Sequence, residues 1–109
     1  MQLTLEQIQE EMKGGGLSPG RVSDFRVYLA AVYALRSTEL ENILMLKPDL
    51  WILIRDGKNI DTAADRAWDA RLEGKREMHL RMELKRIDKL TSALSSKLRV
   101  MEGEARNQF

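Results

Sequence analysis

The chain has 109 residues, with 18 lysines and arginines against 17 aspartates and glutamates, one histidine and no cysteine. A net charge of +1 excludes a uniformly basic nucleic-acid binder but leaves local patches open; the missing cysteines exclude a disulfide framework and a thiolate metal site, and one histidine excludes a His-rich zinc site. At 32% charged and 43% hydrophobic residues, the composition is that of a folded helical chain, and the length fits one domain over residues 1–109.

Thr4-Leu5-Glu6-Gln7 has the form of a capping box, with Leu3 and Ile8 placed as a hydrophobic staple. It predicts a short helix over 4–13, ended by Gly14-Gly15-Gly16, where positive φ is free of steric cost. Leu5, Ile8 and Met12 make its thin apolar side. It is either docked on the main body or an arm that folds on a partner.

Ser18-Pro19 starts a second helix, with Ser18 as N-cap and Pro19 in the first position. Its stripe runs Val22, Phe25, Leu29, Val32, with Ile43 and Leu46 continuing the register, Leu40 and Leu44 widening it, and Tyr28 and Tyr33 flanking it. Arg36 and Glu39 interrupt the stripe midway. Pro48 lacks an N–H and disfavours α geometry before it, so the helix is expected over 18–47. Residues 48–60 hold an apolar run, Leu50 to Ile54. No strand partner is in sight, so two turns of helix from Pro48 to near Gly57 are expected, then a turn at Lys58-Asn59-Ile60.

The last segment, 61–108, reads as one long amphipathic helix capped by Asp61 or Thr62. Leu80, Leu84, Ile87, Leu94, Leu98, Met101 and Ala105 recur at steps of four and three, with Thr91 filling the missing place, which is a heptad seam. Gly74 is its weak interior point. The expected fold is therefore all-α: an antiparallel, coiled-coil-like hairpin of long helices with a short N-terminal helix. Its exposed seam residues favour self-association. The N-terminus lacks the pattern of a signal peptide and the longest strongly apolar run is too short for a bilayer, so the cytoplasm is the expected location.

No catalytic constellation is expected, and no cofactor. His79 sits among Met78, Leu80, Arg81 and Met82 and reads as a solvated or partly packed histidine. The glycine triplet lacks the Lys-Ser/Thr of a phosphate-binding loop. Asp61, Asp65, Asp69, Glu73 and Glu77 form an acidic row that reads as a solvated stripe with favourable charge at a helix N-terminus, since nothing supplies opposing metal ligands. Between residues 71 and 99, nine basic side chains face four acidic ones. Trp68, Arg71, Lys75, His79, Arg86, Lys89 and Lys97 fall on or near one helix face, with Met78 and Met82 at its edge. With Trp51 from the preceding segment, this strip is a candidate surface for an acidic protein or a phosphate backbone. The plainer reading is a solvated face whose lysine and arginine stems cover apolar surface.

Residues 25–108 resemble a loose group of small helical accessory proteins of bacteriophages and prophages, found beside replication and recombination genes. The likeness is carried by Tyr28-Leu29, Leu35 and Leu44-Met45 ahead of a long charged helix. It is carried also by the ending Leu98-Arg99-Val100-Met101-Glu102-Gly103-Glu104-Ala105-Arg106-Asn107-Gln108, while Pro48 to Gly57 departs from the pattern. The resemblance implies a viral accessory protein that works by binding, and it favours a partner in DNA metabolism. Together with the residue reading, the expected function is a non-enzymatic adaptor in the host cytoplasm that binds a macromolecular partner or itself. Two further readings of the residues stand beside it. One is a small inhibitor of a host enzyme or defence complex, using the acidic row. The other is a structural virion or scaffold component assembling through the seam.

Overall fold

The computed structural model describes residues 3–56 and 61–107, with the side chains of 105 and 107 left aside. The expected all-α architecture is what it shows: among the described residues there are four helices, α1 (Leu5–Gly14), α2 (Pro19–Asp56), α3 (Asp61–Ala70) and α4 (Leu72–Asn107), with α2 and α4 packed against each other as a helical hairpin. No helix among the described residues is long and apolar enough to cross a membrane. Contacts group the chain into two compact units, Met1–Tyr33 with Lys85–Phe109, and Ala34–Leu84.

In the first unit the start of α1 is built as the sequence predicts. The Thr4 backbone N–H donates to Gln7 Oε1 at 2.9 Å, and the Gln7 N–H donates back to Thr4 Oγ1 at 3.1 Å. The helix ends where Gly15 and Gly16 take φ of 70° and 74°, backbone that side-chain-bearing residues rarely adopt. Ser18 caps α2 by accepting from the Arg21 N–H at 3.1 Å. The short N-terminal helix is docked: Leu5 and Ile8 join Val22, Phe25, Leu29, Ile87, Leu90 and Leu94 in one buried cluster, edged by Leu3, Met12, Leu17, Tyr28, Val32, Leu98 and Met101. Each large side chain fully buried there contributes roughly 1.5–3 kcal/mol. Leu90 is absent from the strict heptad reading. An α-helix drifts relative to a seven-residue repeat, and α1 covers the extra flank that a two-helix seam would leave open. Arg21 grips Glu11 through Nε and Nη2 at 3.0 and 2.8 Å and lies 4.5 Å over the Phe25 ring. Arg86 donates to Gln9 at 2.6 Å and pairs with Glu6 at 3.1 Å, and the Tyr28 hydroxyl donates to the Leu3 carbonyl.

The second unit departs from the expected boundaries at two points and from the expected buried stripe at one. The helix expected to stop at Lys47 runs through Pro48 to Asp56, so the short helix expected over 48–57 is the last part of α2. Pro48 removes the N–H that the Leu44 carbonyl would accept, at about 3 kcal/mol. Contacts made beyond it offset that loss: Trp51 Nε1 donates to Asp65 at 2.9 Å, and Leu50, Trp51 and Ile54 are half-buried. The helix expected over 61–108 is two helices, interrupted at Arg71. There the Arg71 N–H reaches the Trp68 carbonyl at 3.0 Å, the tightened i to i−3 bond of a final turn. Leu46, expected on the buried stripe, is 57% exposed; the ion pairs of α2 with α4 occupy the inner face instead. Gly57, the Lys58-Asn59-Ile60 turn and Gln108 lie outside the described residues, as does the side chain of the seam position Ala105.

The break at Arg71 depends on a residue without a side chain. A Cβ on Gly74 would lie 1.9 Å from the Trp68 carbonyl oxygen and 2.6 Å from its carbon. The start of α4 sits directly on the end of α3, which holds Trp68 at 1% exposure. Gly103 has open space around it. Gly74→Ala is therefore expected to destabilise the protein by about 2 kcal/mol or more, whereas Gly103→Ala is expected to be neutral or to stabilise by up to about 1 kcal/mol. Urea midpoints of the two variants check the contrast.

Candidate interaction surface

Most of the charged residues singled out from the sequence serve the fold's own ion pairs. In the Ala34–Leu84 unit, Lys47 Nζ lies 3.0 Å from Glu77 Oε1 and 5.3 Å above the Trp68 ring, so one ammonium is held by a carboxylate and an aromatic face together. Arg36 reaches Glu83 at 3.0 Å and also pairs with Glu39, which in turn pairs with Arg76. This chain of alternating charge links α2 to α4. The bond from Arg76 lowers the Glu39 pKa below its ordinary value, against the effect of burial and with help from Arg36. The carboxylates of Glu83 and Glu39 raise the Arg36 pKa further. At Glu77 burial pushes the carboxyl upward, but the Lys47 and Arg81 cations outweigh it and the net pKa is lowered.

The predicted basic strip divides accordingly. Trp68 is buried, Arg71 pairs with Glu73 at 3.3 Å, Arg86 is tied to Gln9 and Glu6, and Trp51 is half-buried on Asp65. Lys75, His79 and Lys89 are exposed, with His79 Nε2 3.5 Å from Glu83. The predicted acidic row divides likewise: Asp61 lies 2.6 Å from Arg55, Asp65 accepts from Trp51, Glu73 pairs with Arg71 and Glu77 with Lys47 and Arg81. Asp69 is exposed and, among the described residues, without a polar partner. Among the described residues no three His, Asp or Glu side chains are grouped so as to hold a metal ion. The seam residues Leu80, Ile87 and Leu94 are fully buried and Leu84, Leu98 and Met101 partly so, which assigns them to packing. A shallow depression at the α1–α2 turn, lined by Glu11, the glycine triplet, Leu17, Ser18 and Arg21, has its one cation clamped by Glu11.

The outside of the Ala34–Leu84 unit carries large apolar side chains among its polar ones. On α2, Met45, Leu46, Ile52 and Leu53 are 70, 57, 56 and 68% exposed. Met45 and Ile52, like Leu46 and Leu53, are seven residues apart, so the four form one strip two turns long. On α4, Leu72, Met78 and Met82 are exposed. Sequence reasoning placed Leu46 on the buried stripe, treated Met78 and Met82 as edges of a basic strip, and missed the α2 face. The available signal was that Leu50 to Ile54 is apolar all round, which a helix with one covered side does not need.

The Lys47–Glu77–Trp68 cluster sets a pH dependence. A carboxylate whose folded pKa is depressed contributes its full stabilisation above its ordinary value of 4.5 and loses it as the pH falls through the lower folded value. Stability is expected to decline as the pH drops below that ordinary value, with a smaller decline in Glu77→Gln. Lys47→Ala, which strands Glu77 and uncovers the Trp68 face, is expected to lose about 2 kcal/mol at neutral pH. Urea denaturation across the acid range measures both.

Comparison of the chain with protein-family models, with curated proteins and with solved structures finds no match, so the functional reading rests on the surface described above.

Proposed function

We propose that the chain is a non-enzymatic accessory or adaptor protein, acting in the cytoplasm and binding a protein partner through the outer helix faces of the Ala34–Leu84 unit. The observation that carries this reading is the second half of α2. Its inner side is engaged through Lys47, Leu50, Trp51 and Ile54, yet Met45, Leu46, Ile52 and Leu53 face outward, each more than half exposed. Contiguous exposed aliphatic surface on a folded chain marks an interaction site. A protein partner fits it better than a phosphate backbone. The strip that would have bound phosphate has given Trp68 to the core and Arg71 and Arg86 to internal pairs. The likeness to phage accessory proteins agrees with a role through binding.

The chain has no cysteine, so Asn42→Cys places a single thiol on the exposed side of α2, one helical turn from Met45. Labelled there with a photoreactive cross-linker, the protein is expected to form an adduct with a protein, unaffected by nuclease. Adding Ile52→Lys is expected to reduce the adduct at least about tenfold with helix content by circular dichroism unchanged. An adduct that nuclease abolishes, or one that Ile52→Lys leaves intact, would overturn the proposal.

A further inference from the structure

We infer that the partner of the α2 face is the α4 face of a second copy of this chain, in a head-to-tail contact; this rests on the adaptor reading and names its partner. The internal ion pairs sort the charges that are left. Among residues 37–56 the exposed charged side chains are Glu41, Asp49 and Asp56, all acidic; the cations there, Lys47 and Arg55, are half-buried. Among residues 72–84 the exposed charged side chains are Lys75 and Arg81, with His79 beside them; Glu73, Glu77 and Glu83 are half-buried against cations. Arg81 touches Glu77 at 3.3 Å but keeps more than half of its side chain in solvent. Among these residues the charges left exposed on α2 are acidic and those left exposed on α4 are basic.

The two faces match in pattern as well as in sign. On α2, Met45, Asp49, Ile52 and Asp56 follow at steps of four, three and four, so acids alternate with apolar side chains along one row. On α4, Lys75, Met78 and Met82 follow at steps of three and four, with Arg81 alongside. Asp49 and Asp56 lie about 10 Å apart along one side of α2, and Lys75 and Arg81 flank the Met78–Met82 row of α4 on its two sides, about 9 Å apart along the axis. Two cross-copy ion pairs can therefore form together, with Met78 and Met82 covering Ile52 and Leu53 between them. Methionine is suited to that packing, being flexible and polarisable. Pairing α2 with α2 would instead set acid against acid. A heterologous contact leaves one face of each kind free at the ends, so it propagates unless it closes into a ring.

The test is a charge-swap complementation followed by light scattering. The wild-type chain is expected to gain mass with concentration beyond a dimer, and to lose that gain as salt screens the rim pairs. Asp49→Lys with Asp56→Lys, and separately Lys75→Glu with Arg81→Glu, are each expected to weaken association at least about tenfold by setting like charges together. An equimolar mixture of the two is expected to associate again, because the reversed α2 face of one meets the reversed α4 face of the other. Circular dichroism of each variant checks that the helices persist. A wild-type chain that stays monomeric at high concentration overturns the inference, as does a mixture no more associated than its components. If that happens while the labelled Asn42→Cys chain still captures another protein, and Ile52→Lys still abolishes that capture, the self-contact fails and the adaptor reading stands.

Discussion

The arrangement of the Ala34–Leu84 unit depends on the ion pairs between α2 and α4. Lys47 with Glu77, Arg36 with Glu83 and Glu39 with Arg76 join the two helices along the half-buried margin of their contact, beside the buried Leu80 and Trp68. Partly buried charges tolerate that position only when paired, because an unpaired one keeps its desolvation penalty. Once these six side chains face inward, α2 has fewer inward positions for its apolar residues than its sequence supplies. Met45, Leu46, Ile52 and Leu53 stay outside, and the leftover acids of α2 and bases of α4 stay outside with them. The interaction surface is thus a consequence of how the interior is held.

The unit formed by residues 1–33 and 85–109 solves the same packing problem in the ordinary way. Its interior is aliphatic and aromatic, its polar contacts lie at the edge, and α1 closes the flank that α2 and α4 leave open. The two long helices contribute to both units, so the same helix passes from an apolar interface to a charged one along its length. On α2 the change falls near Arg36, where the sequence interrupts its own stripe, and the ion pairs there give the interruption its structural meaning.

Local chemistry was legible where a few neighbouring residues decide the outcome. The Thr4–Gln7 capping box, the Ser18–Pro19 helix start, the glycine stop after α1 and the buried set Val22, Phe25, Leu29, Ile87 and Leu94 all follow from spacing and capping rules. The boundary at Pro48 was not legible, because a proline's penalty is local while the contacts that offset it, such as Trp51 with Asp65, come from the next helix. The break at Arg71 was not legible either. Alanine-rich, helix-favouring sequence surrounds it, and its cause is the close approach of Gly74 to the Trp68 carbonyl. The candidate surface was half visible: residues 61–89 sort by charge around the helix, but the sequence could not say which of those charges the fold would use up.

Sequence by itself therefore determined the helical class, the capped helix starts and the apolar core of residues 1–33 and 85–109, because i to i+3 and i to i+4 periodicity and capping are properties of single helices. Only the tertiary structure decided that α2 runs through Pro48, that α3 and α4 are separate, that Trp68 is buried and Arg86 is tied to α1, and that Met45, Leu46, Ile52 and Leu53 stay outside. Those outcomes depend on which groups of one helix, side chain or backbone, meet which on another. Pairing across helices is a property of three-dimensional register that no helix encodes alone.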